Sequence, residues 1–99
     1  MKIWNMVTIM WKGLINKMIS IEDFETNMIY RHYKKGKYYY VMDIALNTET
    51  SEFMVVYHAL YGDYETYVRP FSMFVEKLNE VEELMYNQKY RFVPVTMAN

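Results

Sequence analysis

The chain has no cysteine, so it forms no disulfide, offers no thiolate to a metal and carries no sulfur nucleophile. That suits a reducing compartment, and the cytoplasm is the expected location. Its three glycines, Gly13, Gly36 and Gly62, stand apart from one another, which excludes a glycine-rich phosphate loop and with it P-loop nucleotide hydrolysis. Ser20, Ser51 and Ser72 all sit in turn-like contexts without the strand-turn-helix elbow that exposes a hydrolase nucleophile. One-sided charge is missing as well. Eleven basic against twelve acidic residues give a formal net charge of -1, so no global field draws the chain to nucleic acid or anionic lipid. No apolar run approaches the roughly 20 residues of a membrane span.

What is present is one domain's worth of chain, 99 residues with 53% hydrophobic and 23% charged side chains, a composition that folds. In residues 1–19, Ile3, Val7, Met10, Leu14 and Met18 recur at helical spacing beside Trp4, Trp11 and Ile15. Lys12 and Asn16 interrupt the run too early for a secretory signal or a span. The pattern predicts an amphipathic helix appended to the domain. Such a helix packs on the rest of the chain, forms a dimer contact, or meets a membrane surface or partner, and translation starting at Met18 or Met28 would remove it. Residues 20–28, with Ser20, Glu22, Asp23 and Glu25, read as a linker.

From Ile29 the period becomes two. Nine of the eleven tyrosines lie between Tyr30 and Phe74, in alternating stretches set off by Lys35-Gly36, Asn47-Thr48 and Gly62-Asp63. The predicted strands run from Ile29 to Lys34, Lys37 to Leu46, Glu52 to Leu60, Tyr64 to Arg69 and Tyr90 to Val95. Pro70 has to end a strand or sit at an edge, because it lacks an amide proton. Pro70 to Met73 reads as a tight turn. Phe74 to Leu78 fits either a further strand or the start of a helix continuing to Tyr86, a choice periodicity does not settle, and a short helix near residues 79–88 is one of the two outcomes. On the second strand, Tyr39, Val41, Asp43 and Ala45 share the face expected to meet solvent. The fold class is therefore mainly β, a small antiparallel barrel of about five strands over residues 29–95.

The series YRHYKKGKYYYV, ALNTETSEFMVVYHALYGD, YVRPFSMFVEKL and KYRF, from Tyr30 to Phe92, resembles the bacterial and phage family known as domain of unknown function 1653. The resemblance implies a compact SH3-like β-barrel and no known activity. It supplies no catalytic residue. The positions that meet its pattern are Tyr30, His32, Glu49, Tyr57, Tyr61, Arg69, Pro70, Phe74, Arg91 and Phe92.

Arg69 ends a strand beside a rigid proline, and its fork of donors suits a phosphate or carboxylate bidentately. The bland alternative is an ion pair with Glu49 or Glu52. Tyr57 and Tyr61 flank His58 shortly before it, so the expected ligand-binding set is Tyr30, His32, Tyr57, Tyr61 and Arg69. Arg31, Lys34, Lys35 and Lys37 form a basic hairpin among Tyr33, Tyr38 and Tyr39, which either tracks phosphates and stacks bases or protects a β edge. His32 and His58, on different strands, do not make a metal site, and no cofactor is expected. These features predict a non-enzymatic module that holds a nucleotide-like or other planar anionic ligand. In the phage setting that the family resemblance implies, such a module would sequester a nucleotide immune signal of the host. The alternative is a protein-interaction or homo-oligomerisation domain.

Overall fold

Between residues 20 and 95, the span described by the computed structural model, five strands form one antiparallel sheet in the order β4-β3-β2-β1-β5. They are β1 (Met28–His32), β2 (Tyr38–Asn47), β3 (Glu52–Ala59), β4 (Thr66–Pro70) and β5 (Phe92–Pro94), with two short helices, α1 (Phe71–Phe74) and α2 (Glu80–Tyr86), between β4 and β5. The expected helix over residues 1–19 lies outside the described residues.

The turns form where their residues permit them. Gly36 (φ +63°) and Gly62 (φ +58°) take the left-handed conformation that glycine adopts without strain. In the polar turn after β2, the Asn47 side chain accepts the Glu49 amide at 2.9 Å, while the Ser51 amide donates to the Asn47 carbonyl at 2.7 Å. Pro70 is the last residue of β4, an edge strand, where its missing donor costs no ladder bond.

The sequence reading needs correction in three places. First, the register of β2 on β3 slips between Val41 and Asp43, where two steps along β2 oppose one step from Tyr57 to Val56. This bulge reverses the alternation, so Tyr39 and Val41 before it and Ile44 after it all pack inward. The face assigned to solvent is the core face at that end of the strand, and Val41 is fully buried. Second, the segment after Pro70 is a helical turn rather than a tight turn. It plants Phe71 and Phe74, three residues apart, in the core. Third, β4 begins at Thr66, because Tyr64 takes φ +54° and closes a turn with its amide on the Tyr61 carbonyl at 3.1 Å.

The buried cluster is Tyr30, Val41, Val55, Tyr57, Phe74 and Phe92, flanked by Phe24, Tyr39 and Phe71. Phe74 stacks on Phe92 with centroids 4.0 Å apart, and Tyr57 meets both rings edge-on. This core also reports the sheet's curvature. In a flat sheet β4 and β5 would lie four strand spacings apart, roughly 19 Å. Instead the guanidinium of Arg69 on β4 lies 5.9 Å from the centroid of Phe92 on β5. The two edges therefore meet through side chains, while no backbone ladder joins them among the described residues.

Candidate ligand-binding site

Antiparallel partners share a face, so register alone assembles much of the site. Tyr57 on β3 pairs with Tyr67 on β4, and Arg69 follows two residues later on the same face. His32 on β1 pairs with Phe92 on β5, and Tyr39 on β2 stands against Ala59. Curvature then brings these groups together. The Tyr39 ring lies 5.6 Å from Tyr57, 5.5 Å from Tyr61 and 5.7 Å from Phe92. His32 lies 4.9 Å from Phe92 and 6.3 Å from Tyr39.

Arg69 Nε donates to the Tyr57 hydroxyl at 3.2 Å. Among the described residues no carboxylate pairs with it, and the ion pair present is Arg91 with Glu76 at 2.6 Å. Glu49 and Glu52 stay with the turn after β2, where Glu52 accepts from Thr50. Among the described residues Nε is the one Arg69 nitrogen with a hydrogen bond, so its two Nη groups have no partner there and are not fully buried. A guanidinium in this state can take a bidentate acceptor.

The His32 Nδ1 accepts the Lys34 amide at 3.2 Å, which leaves the ring's proton on Nε2. Burial, followed by the positive charges of Arg91, Arg69 and Lys34, lowers its pKa from 6.5 to about 4. The imidazole is thus a neutral donor at pH 7. The Tyr61 and Tyr39 hydroxyls are 2.6 Å apart. Burial, then this hydrogen bond, pushes the Tyr39 phenol upward, so it keeps its proton. Lys37 Nζ stands 4.7 Å over the Tyr61 ring. A pocket of about 200 Å³ opens here, lined by His32, Lys34, Lys35, Lys37, Tyr39 and Tyr61, with no acidic residue in its wall.

Four of the five expected residues, His32, Tyr57, Tyr61 and Arg69, thus gather around Tyr39 and Phe92. Tyr30 does not join them. It packs on Phe24 and Phe74, donates its hydroxyl to the Glu25 carbonyl at 2.7 Å, and lines a separate cavity of about 210 Å³. Burial, and then the charge of Glu25, push its phenol up to about 12. Tyr39 and Phe92 were missing from the expected set. His58 lies opposite Tyr40 on the outer face, away from His32, and no group of three or more metal-ligating side chains occurs among the described residues.

The basic hairpin divides in two. Arg31 is held by Gln88, whose Oε1 accepts from Nε at 3.1 Å and from Nη2 at 2.9 Å. Lys34, Lys35 and Lys37 remain on the pocket. They do not guard an edge strand, since β1 lies between β2 and β5.

A family model described as protein of unknown function (DUF1653) matches residues 28–94. The chain belongs to this family. A crystal structure of a DUF1653 protein from Bordetella bronchiseptica is similar to it with a TM-score of 0.64 and 28% identity, over 81% of this chain and 97% of that one. No curated protein matches the chain. The DUF1653 match starts and ends with the sheet, from the first residue of β1 to the last of β5. Among the described residues no helix is long and apolar enough to cross a membrane.

Proposed function

We propose that this DUF1653 protein is a non-enzymatic binding module that holds a planar anionic ligand, nucleotide-like in chemistry, on the face formed by Arg69, Tyr57, Tyr61 and Tyr39. The frame is a small SH3-like barrel whose edges are closed by side chains. One observation carries the reading: Arg69 is anchored at Nε by Tyr57 beside an aromatic wall, and among the described residues it has no acidic partner and no hydrogen bond at either Nη. A structural arginine in a half-buried place ordinarily has its carboxylate. Here the aromatic edges and the cation are preset, so a planar ring gains stacking contacts, worth about 1 to 3 kcal/mol per base in comparable sites, without ordering the protein first.

The test is Arg69→Ala, measured on one sample for both ligand retention and melting temperature. AMP serves as the titrated probe. Binding is expected to vanish with the melting temperature nearly unchanged, and Arg69→Lys is expected to restore only part, because lysine lacks the bidentate fork. Tyr61→Phe should cost less than Tyr61→Ala, since stacking needs the ring more than the hydroxyl. A large loss of stability with no separable binding defect would make Arg69 a structural residue and end this assignment.

A further inference from the structure

The proposed ligand face accounts for Arg69 but not for the three lysines beside it. Lys34, Lys35 and Lys37 line one pocket with His32, Tyr39 and Tyr61, and among the described residues none of the three forms an ion pair. Edge protection does not explain them, because their hairpin joins two interior strands. Like charges gathered without counter-charge repel one another, an arrangement that an anion relieves.

Resting on the reading above, we infer that this hairpin pocket is a second anion subsite of the same ligand, which therefore carries two phosphoryl groups on a nucleoside-sized body. The two cationic ends are continuous through a shared wall. Tyr39 touches Tyr57, the partner of Arg69, on one side and Tyr61, the ring beneath Lys37, on the other. His32 lines the pocket and feels the charges of both Arg69 and Lys34. A ligand with one negative group satisfies one end and leaves the other unpaired. Ammonium groups act as mobile point charges around a phosphoryl dianion, whereas Arg69 offers a fixed fork, so the ends differ in geometry but not in sign. The neutral His32 contributes an N–H donor without adding to the repulsion.

The experiment is calorimetric titration of the full chain with AMP, ADP and an adenosine bisphosphate carrying one phosphate on each side of the ribose. It is run on the wild type and on the triple variant Lys34→Gln, Lys35→Gln, Lys37→Gln. One of the two diphosphorylated probes is expected to bind about tenfold or more tighter than AMP. ADP as the tighter probe means adjacent phosphates, and the bisphosphate means phosphates flanking the nucleoside. In the triple variant that advantage over AMP should disappear while the melting temperature holds, since all three lysines are exposed. An advantage that survives the lysine replacements, or equal affinity for AMP and both diphosphorylated probes, overturns the second subsite and leaves the Arg69 reading standing. If no nucleotide binds, the Arg69 reading falls, and pyrophosphate decides the pocket. Pyrophosphate binding lost in the triple variant upholds the anion subsite, and no pyrophosphate binding overturns it.

Discussion

At the scale of the residue, His32 is the clearest link between packing and pH. Its folded pKa of about 4 lies below the ordinary 6.5, so above pH 6.5 the neutral ring is matched in both states and its contribution to stability is complete. As pH falls from 6.5 towards 4, the unfolded chain takes up a proton that the folded ring refuses, and that contribution is lost across this window. His32→Asn keeps an acceptor for the Lys34 amide and removes the titration. The wild type is expected to lose more melting temperature than His32→Asn between pH 7 and pH 4.5. The two proteins differ only at this ring, so the difference between their curves isolates the imidazole. Parallel curves would show that the ring is not held neutral. Several residues of the candidate site were legible because their chemistry is local: Arg69 beside Pro70, and Tyr57 and Tyr61 around one histidine. Tyr39 was not, since a regular pleat carries it to the same side as Asp43 and only the intervening bulge separates them.

At the scale of the element, short helices and strands are fixed by side-chain clamps as much as by their own periodicity. Helix α2 is bounded by polar residues: Asn79 accepts the Glu82 amide at 2.8 Å, three glutamates occupy the first turn, and Asn87 closes the end at φ +52°. Its apolar positions do not point inward, for Val81, Leu84 and Met85 are all exposed. That is why hydrophobic periodicity could not decide between helix and strand after Phe74, whereas the caps could have placed the helix. What ties α2 down is Tyr33 against Tyr86 at 5.1 Å, and Gln88, buried at 6% exposure just past the helix end. Gln88 Nε2 donates to the Tyr90 carbonyl at 2.8 Å and to the Arg31 carbonyl at 3.3 Å, while its oxygen holds the Arg31 guanidinium. Gln88→Leu preserves volume but strands these groups. The expected loss is about 2 to 4 kcal/mol in denaturant unfolding, from the full desolvation cost of buried groups left without partners. A change within about 0.5 kcal/mol would assign the clamp no role.

At the scale of the whole molecule, the hairpin turns and the edge proline followed from local chemistry. The meeting of Arg69 with Phe92 did not, because it depends on contacts between residues far apart in the chain. The same distinction frames the role of residues 1–19. Every residue of the buried cluster, from Tyr30 to Phe92, falls within residues 28–94, the stretch matched by the DUF1653 model. A protein beginning at Met18 is therefore expected to keep the sheet, with near-ultraviolet dichroism and a cooperative melt preserved. In the sequence, Ile3, Val7, Leu14 and Ile15 recur at helical spacing, and an apolar stripe of that kind covers apolar surface when it folds as a helix, either on its own chain or on another. Its removal is expected to lower solubility or to change the mass found by light scattering. Unchanged mass and solubility would mean that the stripe covers nothing of consequence. Loss of the cooperative melt would instead make residues 1–19 part of the core, since a domain this small has little stability to spare when a packed apolar face is taken away.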